Sequence, residues 1–94
     1  MRLVWTESAL VEIHEIFAHV AAGSPVAAER PTIMIESEAQ LLLDHPELGR
    51  PGRVDGTSKF VVTGTPYILP YRVRDGRVEI LAALHASRQS PDRL

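Results

Sequence analysis

Cysteine is absent from the sequence, and so is any long apolar run. The lack of cysteine excludes a disulfide framework and a thiolate metal site, and it fits a reducing cytoplasm. The apolar stretches fall well short of the roughly 18 to 20 residues that span a membrane. Glu7, Glu12 and Glu15 interrupt the first segment, which is not the pattern of a secretory signal. We therefore expect a cytoplasmic protein with no membrane partner.

The length and the apolar content predict one folded domain. A chain of 94 residues can bury a single two-layer core and is too short for two domains. Its apolar fraction of 45% is that of an ordinary globular protein rather than of a disordered one. We expect one domain over residues 1–94, with residues 86–94 as a polar, proline-containing extension.

The net charge of −2 conceals an asymmetry between the two halves of the chain. Residues 1–47 hold two basic and eight acidic side chains, whereas residues 48–94 hold eight basic and four acidic ones. A positive second half can attract an anionic partner, either a nucleic acid or an acidic peptide. The chain as a whole lacks the basic excess of proteins that depend on phosphate contacts, which weakens the nucleic-acid alternative.

The segment 49–85 is organised as a basic, glycine-punctuated loop followed by three short strands. The first turn falls at 64–66 (Gly-Thr-Pro) and the second at Asp75-Gly76. Asp-Gly between apolar runs indicates a hairpin, because a two-residue turn needs positive φ at its centre. Counting outward from that turn predicts four cross-strand pairs: Arg74 with Arg77, Val73 with Val78, Arg72 with Glu79, and Tyr71 with Ile80.

This register sorts the side chains onto two faces, because they alternate along a strand. The predicted core face carries Tyr67, Leu69, Tyr71, Val73, Val78, Ile80, Ala82 and Leu84. The predicted outer face carries Arg72, Arg74, Arg77, Glu79 and His85, together with Ile68, Pro70, Leu81 and Ala83. We expect the exposed apolar residues beside the arginines to form a groove for an amphipathic partner segment.

Two helices are predicted between a first strand, residues 1–5, and the later strands. Thr6 is placed to cap the first helix. Its apolar residues recur at helical spacing: Leu10, Ile13, Phe17, Val20 and Ala21. Gly23 ends this helix, and Ser24-Pro25 begins a second one that extends to Leu43. The short link predicts an antiparallel helical hairpin.

The second helix is predicted to end at His45-Pro46. Its buried stripe is predicted to comprise Ala28, Ile35, Ala39 and Leu42. Pro31 lies inside the helical pattern, where it removes one backbone hydrogen bond. We expect either a kink near Arg30 or a helix that restarts at Thr32.

Pro70 conflicts with the predicted register, because the pair that it forms with Leu81 would need its missing N–H. Either the strand bulges near Pro70, which the apolar alternation favours, or the register shifts by one residue. The order of elements predicts an α+β domain of the form β-α-α-β-β-β. In it a helical hairpin packs on one face of a small antiparallel sheet.

Short motifs occur in a fixed order over nearly the whole chain. They are Ser-Pro-x-Ala-Ala at 24–28, His-Pro-Glu-Leu-Gly-Arg-Pro-Gly-Arg at 45–53, Gly-Thr at 56–57 before a Val-Val strand, Gly-Thr-Pro-Tyr-Ile at 64–68, Tyr-Arg-Val at 71–73, Val-Glu-Ile-Leu at 78–81 and Leu-His-x-x-Arg at 84–88. Each motif alone is ordinary turn or strand chemistry. Their joint order and spacing resemble the RelE/ParE superfamily of type II toxin–antitoxin toxins, in its ParE-like, plasmid-stabilisation branch.

The resemblance implies a toxin that is neutralised by a small cognate antitoxin. In this superfamily the antitoxin's C-terminal segment wraps the toxin, and its N-terminal part dimerises and binds operator DNA. ParE-like members poison DNA gyrase, whereas RelE-like members cleave messenger RNA on the ribosome. The chain departs from the pattern at Ser58, where members commonly carry arginine, and at 88–91, where many carry an aromatic residue. These departures bear on activity more than on fold.

An RNA-cleaving function would need a base, an acid and cations around the reacting phosphate. The candidates for these roles are Arg53, Lys59, Arg72, His85 and Arg88. His85 can titrate near neutral pH and Arg72 can hold phosphate with two hydrogen bonds. A structural interpretation is also open, in which Arg72 is a cross-strand ion pair with Glu79 and His85 is a hydrogen bonder at a strand end.

A binding function is favoured over catalysis. The residues expected to contact the antitoxin or the target are Arg72, Arg74, Arg77, Arg88, Ile68 and Leu81. We expect a toxin that acts on DNA gyrase. The alternatives are a ribosome-dependent messenger RNA endoribonuclease and a degenerate toxin that only binds its antitoxin.

The sequence predicts no metal site and no cofactor. His14 and His19 are five positions apart, whereas two helical ligands of one metal are best placed four apart. No glycine-rich phosphate loop and no nucleophile elbow occur in the sequence.

Overall fold

The computed structural model describes residues 1–23 and 25–86, and for residues 25–31 it describes the backbone alone. Its elements, in chain order, are β1 (Arg2–Trp5), α1 (Glu7–Gly23), α2 (Pro25–Asp44), a 3₁₀ helix (Pro46–Leu48), β2 (Arg50–Pro51), β3 (Ser58–Val61), β4 (Tyr67–Arg74), β5 (Arg77–Ile80) and β6 (Leu84–His85). The predicted α+β class and the helical hairpin are confirmed. The two short strands β2 and β6 are additional to the prediction.

The strands form one sheet in the order β1-β5-β4-β3-β2, and β6 pairs with β4 where β5 has ended. All pairs are antiparallel except β1 with β5, which is parallel. The sheet is therefore mixed, and the prediction of a purely antiparallel sheet is wrong in this respect. The direction of β1 depends on a partner far along the chain, so no local turn signal determines it.

The Asp-Gly hairpin has the predicted register, with Arg74 opposite Arg77 and Arg72 opposite Glu79. Asp75 and Gly76 have φ of 53° and 71°, the left-handed conformation that both central residues of this turn require.

An extra residue lies opposite Pro70, in the segment between β5 and β6. Tyr71 faces Ile80 and Ile68 faces Leu84, so two residues of β4 stand opposite three of the other chain segment. The N–H of Leu81 donates to the carbonyl of Pro70 at 2.8 Å, which is the half of the pair that proline can make. The irregularity expected near Pro70 is therefore present, but β4 itself is continuous.

This extra residue reverses the faces of the strand that follows it. His85 lies directly opposite Tyr67 and Leu84 lies opposite Ile68. Opposite residues share a face, so His85 is on the helix side of the sheet and Leu84 is on the outer side. The predicted faces of His85 and Leu84 are therefore wrong, because the prediction continued the alternation of β5 without an extra residue. In the same segment the Ala83 N–H donates a hydrogen bond to Oε1 of Glu12 on α1, at 3.2 Å.

The start of α1 is capped as predicted, with the Ala9 N–H donating to the Thr6 hydroxyl at 3.2 Å. Its buried side differs from the prediction. Ala9 is buried, with Ile13 and Ile16 packed against the core, whereas Leu10 and Phe17 are 53% and 41% exposed. The apolar arc of α1 is wider than its contact with the core, and the sequence does not show which half turns inward.

The α2 helix is one element through Pro31, so the predicted restart at Thr32 does not occur. Its residues Ile35, Ala39 and Leu42 are fully buried, as predicted, and it ends before His45-Pro46. The predicted burial of Ala28 lies outside the described side chains.

The core lies between the helical hairpin and one face of the sheet. The helices contribute Ala9, Ile35, Ala39 and Leu42, and the strands and their connections contribute Phe60, Val62, Tyr67, Leu69, Tyr71, Val78, Ile80 and Ala83. Val73, at the far end of the hairpin, is 46% exposed, so its predicted place in the core is wrong. The extension predicted for 86–94 falls outside the described residues, apart from Ala86.

Tyr71 joins the segment after α2 to the middle of the sheet. Its hydroxyl donates to the Pro46 carbonyl at 2.6 Å and accepts from the Gly49 N–H at 2.8 Å. Tyr71 as a whole is 1% exposed. The 3₁₀ helix and the start of β2 are therefore held by one buried side chain.

Candidate partner-binding face

The sheet face turned away from the helices carries most of the described basic side chains. Strand register places them there, because residues directly opposite one another share a face. Arg2 is opposite Arg77 and Arg77 is opposite Arg74. The basic residues of this face, here called the cationic face, are Arg2, Arg50, Lys59, Arg72, Arg74 and Arg77.

Glu79 is the acidic residue that the described strands place on the cationic face. Its side chain is 8% exposed. Arg72 Nε donates to Glu79 Oε1 at 2.6 Å. The terminal nitrogens of Arg77 and Arg74 lie 3.3 and 3.6 Å from Oε2. The predicted cross-strand ion pair is therefore confirmed. It is the tightest contact of a cluster of five charged groups, in which Arg77 also lies 3.8 Å from Oδ2 of Asp75.

The surrounding arginines keep Glu79 ionised. The hydrogen bond from Arg72 is the largest cause, and it lowers the pKa of the Glu79 carboxyl below its ordinary value. Burial acts in the opposite direction, while the positive charges of Arg74 and Arg77 lower the pKa further. The ionised carboxylate serves as a fixed anchor for the three arginines.

We expect Glu79→Gln to lower the free energy of unfolding at neutral pH and to weaken its dependence on acid pH. The folded pKa of Glu79 lies below the unfolded one, which is about 4.3. The resulting stabilisation is present above the unfolded pKa and is lost as the pH falls through the folded pKa. Urea unfolding from neutral pH down to about pH 3 measures it. Glu36→Gln, which removes an exposed carboxylate from α2, is the control, and an equal change in both variants would contradict the role of Glu79.

The structure separates the residues that RNA cleavage would need to bring together. Arg72 and Lys59 lie on the cationic face, whereas His85 lies on the other face. The rings of His85 and Tyr67 pack there in a T-shaped arrangement, with 5.4 Å between their centroids. Arg53 is exposed in the loop between β2 and β3. Arg88 lies outside the described residues. The prediction that Arg72 and His85 share a face is therefore wrong, while the roles proposed for each remain predictions.

The exposed apolar groove predicted beside the arginines is largely filled. Ile68 is 8% exposed and Leu81 is half-buried. Ala83, also predicted for this face, belongs instead to the core between the helices and the sheet. The reversal after β5 brings Leu84 onto this face beside Ile68. The exposed apolar residue here is Val61, at 54%, which lies opposite Ile68.

Sequence reasoning did not find Arg2 as part of this face. Its membership follows from the parallel pairing of β1 with β5, for which the sequence has no local signal. Val61 could have been found, because it follows directly from the register of the β3–β4 hairpin.

Among the side chains described in residues 1–23 and 25–86, which leave out those of 25–31, no group of three or more from acidic or histidine residues is placed to hold a metal ion. None of the helices in this part of the chain has the length and apolar content to cross a membrane.

Comparison with known proteins agrees with this architecture. Residues 3–90 match the family model of the ParE toxin of the type II toxin–antitoxin system parDE. Y4kP, a protein of Sinorhizobium fredii that is named as a toxin, is 42% identical over 91 residues, covering 96% of this chain and 93% of its own. Toxin RelE2 of Caulobacter vibrioides is 34% identical over 87 residues, covering 93% of this chain and 97% of its own.

A solved structure extends the agreement to three dimensions. A chain of the chromosomal ParDE toxin–antitoxin system from P. aeruginosa superimposes with a TM-score of 0.82 at 26% identity, over 90% of this chain and 95% of the other. Fold and sequence thus define the class, the toxins of type II toxin–antitoxin systems. Within that class the chain belongs to the ParE toxin family, which confirms the predicted resemblance.

Proposed function

We propose that this chain is a toxin that inhibits DNA gyrase in the cytoplasm and that a cognate antitoxin neutralises it with a C-terminal segment wrapped over the toxin. Membership of the ParE family supports the toxin role. The P. aeruginosa relative belongs to a ParDE toxin–antitoxin system, which supports an antitoxin partner for this chain.

The observation that carries the choice of inhibition over catalysis is the arrangement of Glu79 and the arginines. The titratable acid of the cationic face is held ionised by Arg72. The described strands bring no histidine and no tyrosine onto that face, since His85, Tyr67 and Tyr71 lie on the helix side. Cleavage of RNA by general acid–base catalysis needs two proton-transferring groups near one phosphate. The cationic face is better suited to binding a macromolecule than to cleaving one.

The alternative target is the ribosome with its messenger RNA. Lys59 and Arg50 lie opposite each other on the cationic face, on the same side of the sheet as Arg72. Three cations on one face can contact phosphate groups. If the chain is a ribosome-dependent endoribonuclease, this surface would be the one that binds the substrate.

We expect the purified chain to inhibit DNA supercoiling by gyrase and to leave messenger RNA intact in an extract that contains ribosomes. Both assays use the same preparation, and catalytically inactive gyrase together with an RNase-free extract supply the background controls. Messenger RNA cuts that disappear in Arg72→Ala or His85→Ala would instead establish the endoribonuclease. Circular dichroism of each variant separates loss of activity from loss of folding. If neither supercoiling nor messenger RNA changes, and if cells that express the chain without an antitoxin grow normally, the chain has kept only antitoxin binding.

A further inference from the structure

The arginines of the cationic face divide into two groups according to their contacts. Arg72 makes a short, direct hydrogen bond to Glu79, at 2.6 Å. Arg74 and Arg77 approach the same carboxylate only at 3.6 and 3.3 Å, with 52% and 36% of their side chains exposed. Short charge-assisted hydrogen bonds are the strong ones, so Arg72 is fixed and the other two are held loosely.

We infer that Arg2, Arg74 and Arg77 form a carboxylate-binding row that takes an acidic peptide segment, with Arg72 and Glu79 as its internal support. This inference rests on the proposed antitoxin partnership and identifies the part of the face that an acidic segment would contact. The row runs across three strands, because Arg77 on β5 has Arg2 opposite it on β1 and Arg74 opposite it on β4.

Arg77 supplies an independent sign that the row can take a ligand. Its Nε atom is buried and has no hydrogen-bond acceptor within the described part of the chain. An unpaired buried donor is costly. A terminal nitrogen of Arg77 makes long contacts with two carboxylates, 3.3 Å to Glu79 and 3.8 Å to Asp75. A further carboxylate arriving between Arg77 and either neighbour would let this guanidinium turn and use donors that these contacts leave unsatisfied.

The chemistry of the ligand follows from Glu79 itself. That residue is a carboxylate already bound by guanidinium groups on this face, so the surface accepts a carboxylate in its present geometry. Adjacent strands lie about 4.8 Å apart, so the outer two arginines of the row are separated by about 10 Å. Alternate residues of an extended segment are about 7 Å apart. A segment with acidic residues at alternate positions would therefore place two carboxylates along the row.

A nucleic acid fits the row less well than an acidic peptide does. The row itself holds three cations, fewer than the strong basic excess of proteins that depend on phosphate contacts. The net charge of the chain is −2, so its overall field does not favour a polyanion as large as a duplex.

The test uses fluorescein-labelled hexaglutamate as the probe and measures fluorescence anisotropy with the purified full chain at low salt. We expect Arg2→Gln, Arg74→Gln and Arg77→Gln each to weaken hexaglutamate binding about three- to tenfold, as for the loss of one charge-assisted contact. Arg53→Gln is the matched control, since it removes the same charge from an exposed loop position away from the row. Its expected effect is smaller than twofold.

Two results would overturn the inference: an equal loss of affinity in Arg53→Gln, which would indicate general charge attraction, or tighter binding of labelled hexathymidylate than of hexaglutamate. Urea unfolding of each variant verifies that the fold is retained. The double variant Arg74→Gln with Arg77→Gln gives a second measurement, with a larger loss of affinity expected. Neither gyrase nor an antitoxin enters this assay, so its failure is distinct from failure of the supercoiling test.

Discussion

We expect Leu42→Ala to lower the free energy of unfolding by about 2–5 kcal/mol, the usual range for truncating a fully buried leucine. Leu42 is 0% exposed and belongs to the core cluster between α2 and the sheet. The loss combines the removal of buried methyl groups with the cavity that remains. Domains of this size are stable by only about 5–15 kcal/mol, so the variant would lose a substantial part of its stability. Urea titration followed by the fluorescence of Trp5, the single tryptophan, measures the change.

Leu41→Ala is the control for this prediction. Leu41 is adjacent on the same helix, loses the same atoms on truncation and is 42% exposed. Substitutions at exposed positions usually change stability by about 0.5 kcal/mol or less, so the two variants should differ several-fold. Similar losses in both would mean that propensity within α2, rather than burial of Leu42, sets the effect.

We expect Gly49→Ala to destabilise the chain by about 1–3 kcal/mol, the usual cost of overpacking a filled site. A Cβ at this position would lie 2.5 Å from both Cε1 and the hydroxyl oxygen of Tyr71 and 2.8 Å from Cζ. The backbone of Gly49 is extended, with φ −74° and ψ 157°, which any residue adopts. Glycine is therefore required here by the closeness of the tyrosine ring and not by the backbone conformation. Urea unfolding again measures the change.

A double-mutant cycle with Tyr71→Leu tests this explanation. Leucine lacks the ring atoms that the new Cβ would contact, so Gly49→Ala should cost much less in the Tyr71→Leu background than in the natural chain. The matched control is Gly23→Ala at the end of α1, where an added Cβ meets nothing within 4 Å. Additive losses in the cycle would show that Gly49 is needed for a reason other than the ring of Tyr71.

The parts of the fold that local chemistry determines could be predicted from the sequence. The Asp75-Gly76 turn fixes its own register, because only left-handed backbone at both positions closes a two-residue hairpin with the right twist. The Arg72–Glu79 ion pair follows by counting from that turn. Thr6 as a cap and Leu42 as a core residue follow in the same way from helix-end chemistry and helical spacing.

The remaining features depend on contacts between distant segments. The face of His85 is decided by the extra residue opposite Pro70, and the Ala83 N–H in that segment bonds to Glu12 on α1. Neither the position of the extra residue nor this contact is visible in the local pattern around 81–83. The same limit applies to α1, where the packing against the sheet, and not the spacing of apolar residues, decides that Ile13 turns inward and Phe17 outward.

The candidate site shows both situations. Arg74 and Arg77 were predicted to lie together on the outer face, and their register confirms it. Arg2 completes the row only through the parallel β1–β5 pairing. A surface assembled from both ends of a chain can be recognised from sequence only where a strand's partner is known.

The parallel pairing of β1 has a consequence for how the protein is made. Thr6, at the end of β1, donates to the carbonyl of Ile80, a contact that spans 74 positions of sequence. During translation the α1–α2 hairpin can fold early, because its contacts are local, whereas β1 must wait until residue 80 has been synthesised. A nascent chain would thus expose its acidic helices first and gain its complete row of guanidinium groups last.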